Sequence, residues 1–162
     1  MKLDRAIEDV QEAEAELAKE LRVVGERHAV EHDLYHLGHT LARQCVDHLE
    51  LLAPHAARYG GTPRDDESAE SAGLIETIRH KSAELLGRSE MSGMLLLRDL
   101  KHLYLAAQEA EIAWVVLAQA AQAVRDPELL RTASLCHEEA EARGKWLRTR
   151  IKESAPQILA VG

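Results

Sequence analysis

The chain has 162 residues, 46% of them hydrophobic and 30% charged, so it can bury the core of one domain and is unlike a disordered chain. Acidic residues outnumber basic residues by 28 to 20, and the formal net charge of −8 argues against nucleic acid or anionic membrane as a partner. The hydrophobic residues are mostly Ala and Leu, and Phe is absent, which favours an all-α fold over a β-sandwich.

The first predicted helix covers residues 3–24. Its apolar residues recur at helical spacing, and Glu14 falls on the same stripe. Gly25 then marks either a turn between two antiparallel helices or a weak point in one helix from about residue 3 to residue 57. We favour the turn, because such a helix would be about 80 Å long, too long for a compact domain of this size.

The second predicted helix has an apolar stripe that begins at Val30 and continues to Leu52, with Cys45 and His48 on it. Pro54 and the Gly- and Pro-rich residues after it are expected to end the helix. A flexible linker is predicted at about residues 59–72, because this part of the chain is rich in Gly, Pro, Asp, Glu and Ser. A short extra helix with Leu74, Ile78 and Leu85 is predicted next, with a stop near Gly87.

Two more long helices complete the predicted bundle. Ser89 is a candidate N-cap for the third long helix, which is apolar on nearly every face over residues 110–124. We expect other helices or a second copy of the chain to cover that stretch, and we favour a homodimer. The last helix is predicted to begin at Asp126-Pro127, where an N-cap precedes a proline at the first helical position, and to end at Pro156.

The predicted architecture is therefore an all-α four-helix bundle in a single domain over residues 1–162, with a short helix between the second and third long helices. The sequence has no apolar leader segment and no run of eighteen apolar residues, so we expect neither secretion nor a membrane span. Cys45 and Cys136 lie in apolar helical positions and form no CxxC motif, which is typical of reduced thiols in a cytoplasmic protein.

Four of the nine histidines lie within twelve residues, at offsets of 4, 4 and 3, and would share one face of a helix: His28, His32, His36 and His39. That face points away from the apolar stripe. It has three open interpretations: a solvated or interface surface, a clamp for a divalent metal such as nickel or zinc, or a face that associates with itself according to pH. Protonation of all nine histidines would change the net charge from −8 to +1.

A second set of residues is predicted to point into the bundle. Glu14 and His137 lie on apolar stripes, and Glu141 follows His137 by one turn. His102 and Glu109 share one face of the third long helix, two turns apart. Small neighbours around His137 leave room for a ligand or metal, or allow two helix backbones to approach closely.

Short patterns of carboxylates and histidines accompany these residues: Asp33-x-x-His36, Asp99-x-x-His102 and His137-x-x-x-Glu141. With the helical pattern of the whole chain, they resemble the ferritin-like and hemerythrin-like four-helix bundles. The resemblance implies a di-iron type of site inside the bundle and chemistry on oxygen or peroxide. The chain lacks the paired Glu-x-x-His motifs of the first family, and its motif order differs from that of the second.

Two functions therefore stay open from the sequence. The first is a metal-binding bundle in which the five inward residues hold iron, manganese, zinc or nickel and the histidine stripe forms a second site. The second is a non-enzymatic helical protein that binds another protein chain and has no cofactor. No catalytic residue or substrate is predicted, because the sequence has no phosphate-binding loop, nucleophile elbow or exposed charged cysteine.

Overall fold

The computed structural model of the protein describes residues 2–64, 73–78 and 89–161, and within them it contains only helices and connections. The long helices are α1 (Leu3–Arg27), α2 (His32–Arg58), α4 (Ser89–Ala123) and α5 (Pro127–Pro156). Residues 73–78 form the short helix α3, and Gln157–Val161 extend α5 as a π-helical turn. The predicted all-α bundle with a short helix after the second long helix is confirmed.

The four long helices form a ring in which α1 packs against α2 and α4, α4 packs against α5, and α2 approaches α5. Contacts between the ends of the helices show that α2 and α4 run in one direction, while α1 and α5 run in the other. The end of α2 and the start of α4 therefore lie at opposite ends of the bundle. Residues 59–88 connect these two ends.

The core consists of two apolar clusters, one toward each end of the ring. The first contains the second half of α1, the first halves of α2 and α4, and Leu147 of α5. The second contains the start of α1, the ends of α2 and α4, and the start of α5. Between them each long helix contributes one buried polar residue or tryptophan, and this middle layer consists of Glu14, His48, Trp114 and Arg143.

The favoured turn between two antiparallel helices is confirmed, but it lies at residues 28–31 and not at Gly25 itself. Gly25 lies within α1 and faces Gly38 of α2. A Cβ atom built on Gly38 would be 3.1 Å from the carbonyl oxygen of Leu21 and 3.6 Å from the Cα atom of Gly25. The two glycines allow the backbones of α1 and α2 to approach closely. From the sequence alone, a glycine in this role cannot be distinguished from a glycine that ends a helix.

Other predicted boundaries fare differently. Pro54 lies inside α2, which ends at Arg58, directly before the predicted Gly- and Pro-rich break that begins at residue 59. The predicted start of the last helix is confirmed, because the Asp126 side chain accepts a hydrogen bond from the Leu129 amide at 3.0 Å. The α-helix ends at Pro156, but the proline does not stop the helical path, which continues as the π-helical turn to Val161. Residues 65–72, Leu85 and Gly87 lie outside the described residues.

The apolar stretch of α4 is only partly covered. Trp114, Leu117 and Ala121 are buried, whereas Ile112 and Val116 are 59% and 55% exposed. Surface of this kind is typical of a binding face. The homodimer that the sequence favoured stays a prediction.

Two further properties of the described residues bear on function. None of the helices combines the length and the apolar character that crossing a bilayer requires. Cys45 and Cys136 are both free and buried, as their helical positions predicted. The described residues thus provide no exposed thiol.

The contact between α1 and α2 leads to the first testable prediction. Replacing Gly38 with Val places two methyl groups against the backbone of α1, and we expect a loss of about 2 kcal/mol in the free energy of unfolding. Gly25→Ala is the matched control: its Cβ would meet atoms no closer than 3.5 Å, and alanine favours a helix by up to about 1 kcal/mol. Urea denaturation followed by circular dichroism measures both. A Gly38→Val protein as stable as wild type would contradict the close approach.

Candidate functional site

The middle layer is a buried group of polar side chains to which all four long helices contribute. Glu14 comes from α1, His48 from α2, Trp114 from α4 and Arg143 from α5, and each is at most 2% exposed. Each occupies a core position of its helix, between apolar residues of the two clusters. Burial without partners is costly for polar groups, and all of these side chains bond within the layer, although Nε of Arg143 has no partner.

Glu14 is the centre of this layer. Its Oε1 atom accepts hydrogen bonds from Arg143 Nη2 at 2.6 Å, Trp114 Nε1 at 2.7 Å and His48 Nδ1 at 3.1 Å. Its Oε2 atom accepts a further bond from Arg143 Nη1 at 3.1 Å. A carboxylate offers about four lone-pair positions. Three donors thus share Oε1, while one donor binds Oε2.

These contacts determine the ionisation of Glu14. Burial alone would raise its pKa, because it penalises the charged form. The Arg143 guanidinium and the hydrogen bonds from His48 and Arg143 outweigh burial and lower the pKa from 4.5 to about 2. Arg143 in turn has its pKa raised by Glu14, against the effect of burial. The pair is thus a buried carboxylate–guanidinium ion pair at neutral pH.

His48 links this pair to the surface. Its Nδ1 atom faces Glu14, and its Nε2 atom lies 3.0 Å from Oε2 of Glu139, whose side chain is 41% exposed. Each ring nitrogen of His48 thus faces one carboxylate oxygen, and the imidazole bridges the buried Glu14 to the half-exposed Glu139.

Polar contacts also join α2 and its flanking residues to α5 over the whole length of the two helices. We call this boundary the polar seam, and its contacts are Glu31 and Asp33 with Arg150, His48 with Glu139, His55 with Thr132, and Arg58 and Tyr59 with Asp126. A cleft of about 530 Å³ with mainly polar lining residues opens along it. The two helices are thus bridged by long side chains.

His55 in the seam behaves differently from His48. Arg58 donates to its Nδ1 atom at 2.6 Å, so its Nε2 atom carries the proton and donates to the Thr132 hydroxyl at 3.1 Å. Burial and the neighbouring Arg58 charge lower the pKa of His55 below its usual value. This histidine is therefore neutral and structural at pH 7.

The four histidines of the predicted stripe do not share one face of one helix, because the turn at residues 28–31 separates the first from the others. His28 is buried, and its Nε2 atom lies 2.8 Å from Asp99 Oδ2 of α4. His39 is partly buried and contacts Glu26 at 3.2 Å. His32 and His36 remain exposed one turn apart on α2.

The five residues predicted to point inward do not converge either. Glu14 is buried as expected, but His102 and Glu109 are exposed, because each precedes a core residue of α4 by one position and so points about 100° away from the core. His137 is half-buried and lies 3.7 Å from Glu111. Glu141 pairs with Lys145 on the same helix. The prediction that all five face the core is therefore wrong.

The described residues offer little for metal or nucleophilic chemistry. Among them, no three His, Cys, Asp or Glu side chains are placed to hold one metal ion. Burial, together with the charges of Glu14 and Glu139, raises the pKa of the Cys136 thiol to about 12. Burial also raises the pKa of Cys45 well above its usual value. Both thiols are protonated at neutral pH and hence poor nucleophiles.

A groove between α1 and α4 has the size and lining to receive another molecule. Its volume is about 540 Å³, and small residues of both helices, Ala6, Ala13 and Ala113, leave the depression between them. Ile112 and Val116 form its apolar side on α4. Leu105 is 65% exposed and lies on the same face of α4, so an apolar row extends beyond the groove.

The other lining residues of the groove are mostly acidic. Asp9, Glu12 and Glu16 follow one stripe of α1 at spacings of three and four residues, and Glu109 stands among the apolar residues of α4. Arg64 is the single cation among the lining residues. The α1–α4 groove thus combines an exposed apolar surface with an excess of negative charge.

The sequence contained signals for the middle layer that the pattern analysis did not use. His48 lies on an apolar stripe, as Glu14 does, and two polar residues on facing stripes predict a buried partnership. The sequence gives no such signal for Arg143, because an apolar stripe drawn through His137 runs one residue after the buried Cys136 and leaves Arg143 off it. Asp99 was considered only with His102, although its partners are His28 and Arg27.

Comparisons with models of protein families, with curated proteins and with solved structures found no match to this chain. A function for it therefore has to be argued from its own residues.

The ionisation of Glu14 leads to the second prediction, on the pH dependence of stability. Between about pH 4.5 and about pH 2 the unfolded chain binds a proton at Glu14 that the folded chain does not, so stability falls as pH falls through this window. The full effect is about 3 kcal/mol. Urea denaturation at a series of pH values measures it.

Glu14→Gln is the control for this measurement. We expect it to be less stable at neutral pH by about 3 kcal/mol, because it leaves the Arg143 charge buried without a counterion. It should also lose the contribution of this residue to the acid dependence. An unchanged acid dependence in Glu14→Gln would show that other carboxylates cause it.

Proposed function

We propose that this protein is a non-enzymatic helical interaction protein that binds another polypeptide in the α1–α4 groove. The observation that carries the proposal is the exposure of Ile112 and Val116, each more than half accessible, beside a groove with a floor of small residues. Monomeric proteins seldom leave neighbouring apolar side chains in a concave surface without a binding role. A groove between two helices is also a common receptor for a third helix.

The interior of the bundle supports the same proposal. Four donors surround Glu14, three at Oε1 and one at Oε2, and His48 lies between the carboxylates of Glu14 and Glu139. A catalytic site needs groups with free hydrogen-bonding capacity facing a substrate. In the middle layer the hydrogen bonds join the buried side chains to one another, to Cys45 and to Glu139, and among its groups Nε of Arg143 is the one buried atom without a partner. We therefore assign it to the stability and specificity of the fold.

The groove proposal leads to the third prediction. Immobilised wild-type protein should retain certain polypeptides from an extract of the cells that contain it. The double variant Ile112→Ser/Val116→Ser should not retain them, because the two substitutions remove the apolar side of the groove. Leu135→Ser is the matched control, since Leu135 is 49% exposed on α5 and lies outside the groove. Quantitative mass spectrometry of the retained proteins compares all three.

Light scattering at about pH 8, where most histidines are neutral, determines whether the protein binds a second copy of its own chain. Loss of a dimer in the double variant alone would identify the second copy as the bound polypeptide. Identical sets of retained proteins for the wild type and both variants, together with an unchanged mass, would contradict the proposed role of the groove.

A second candidate function is metal binding, and the exposed pair His32 and His36 favours it. Residues one turn apart on a helix place their imidazoles where both can ligate one divalent ion. The chain also has the connectivity of ferritin-like bundles, in which one long crossover joins two helical hairpins. We place this proposal on the surface of α2, since the inward residues do not converge.

The fourth prediction tests this pair with an immobilised-nickel column and untagged protein. We expect the wild-type protein to be retained and His32→Ala/His36→Ala to flow through, because His102 is then the one exposed histidine among the described residues, and one imidazole alone chelates poorly. His102→Ala is the matched control and should be retained, since it removes one exposed histidine from another helix. Retention of the double variant at the wild-type level would overturn the assignment to this pair.

A further inference from the structure

We propose that the occupant of the α1–α4 groove is a basic amphipathic helix of a different protein, with an apolar ridge flanked by Lys or Arg. This inference rests on the proposed function, because it assigns the class of partner to the same groove. Three features of the groove carry it: its apolar side, its acidic stripe and its length.

The acidic stripe selects the charge of the partner. Asp9, Glu12 and Glu16 are all exposed and lie on one face of α1, and Glu109 extends this charge to α4. Arg64 offsets only one of these four charges. The neighbouring Glu20 has its pKa raised by partial burial and by the charge of Glu16, which shows the repulsion along this face. A cationic helix relieves the repulsion as it binds.

The same charges argue against a second copy of the chain in this groove. A symmetric dimer would bring each acidic stripe to the same interface, because two-fold pairing uses the same patch twice. Eight carboxylates and two Arg64 side chains would then lie around the apolar residues of one interface. Like charges placed together at an interface oppose association. A cationic partner meets no such opposition.

The dimensions of the groove define the ridge of the partner. From Ala6 to Glu16 the groove follows α1 for about 15 Å, which equals about three helical turns. The alanine floor accepts side chains of medium size, and Ile112 and Val116 offer apolar contacts beside it. Apolar residues at i, i+3 or i+4, and i+7 would lie along this floor. Lys or Arg on the α1 side of the ridge would face Asp9, Glu12 and Glu16.

The test uses two labelled synthetic peptides of about four helical turns. Both carry the same Leu and Ala ridge, and one has Lys where the other has Glu at the flanking positions. Fluorescence anisotropy with the full-length protein should show binding of the Lys peptide and not of the Glu peptide. Binding of the Lys peptide should weaken as salt increases, because the contacts include exposed charges.

Two triple variants separate a specific site from general attraction to an acidic protein. Asp9→Asn/Glu12→Gln/Glu16→Gln should weaken binding of the Lys peptide about tenfold, as expected for three exposed ion pairs. Glu128→Gln/Glu138→Gln/Glu153→Gln changes the net charge equally on exposed positions of α5 and should weaken it less than about twofold. Equal effects of the two triple variants would overturn the proposal.

The remaining outcomes distinguish the partner class from the proposed function. Ile112→Ser/Val116→Ser should also weaken binding of the Lys peptide. If the Lys peptide fails to bind while this double variant still loses its natural partners, the groove is an interface and the partner class is wrong. If the double variant keeps those partners and the peptide also fails to bind, both proposals are wrong. A dimer that only this variant disrupts would identify a second copy as the occupant.

Discussion

The arrangement of all four long helices depends on the buried ion pair between Glu14 and Arg143. Two charges removed from water must find each other and further hydrogen-bond partners, or the cost is several kcal/mol. Trp114 and His48 supply those partners from the other two helices. Sliding any one helix by a turn, about 5.4 Å, would separate its group from this layer. We infer that the layer fixes the register of the helices, while the two apolar clusters supply most of the stability.

Much of the fold could be predicted from the sequence, because helical periodicity and caps act locally. The Asp126-Pro127 start of α5 is one example, since an N-cap followed by proline has few other uses. The turn between α1 and α2 could not be placed in this way. Gly25 has the same signature whether it ends a helix or lets a neighbouring backbone approach, and only the position of Gly38 on the facing helix distinguishes the two roles.

The candidate site was less accessible to prediction. Glu14 was recognisable as a polar residue on an apolar stripe, but its partners come from three other helices, and their pairing depends on the register between helices. Arg143 was hidden by a shift of one residue in the last helix. The α1–α4 groove could not be predicted at all, because no single helix reveals which of its exposed faces lies beside another. Ile112 and Asp9 become neighbours only in the assembled ring.

The polar seam between α2 and α5 has a consequence for how the protein moves. When the seam opens, water replaces its side-chain contacts, and the net free energy lost is small. Separating α1 from α4 costs more free energy, because it exposes apolar surface to water. Separating α2 from α5 therefore costs less, and the α1–α4 contact is the firmer of the two. Through openings of the seam, water and hydrogen ions reach the buried pair of Glu14 and Arg143 from the side of α2 and α5.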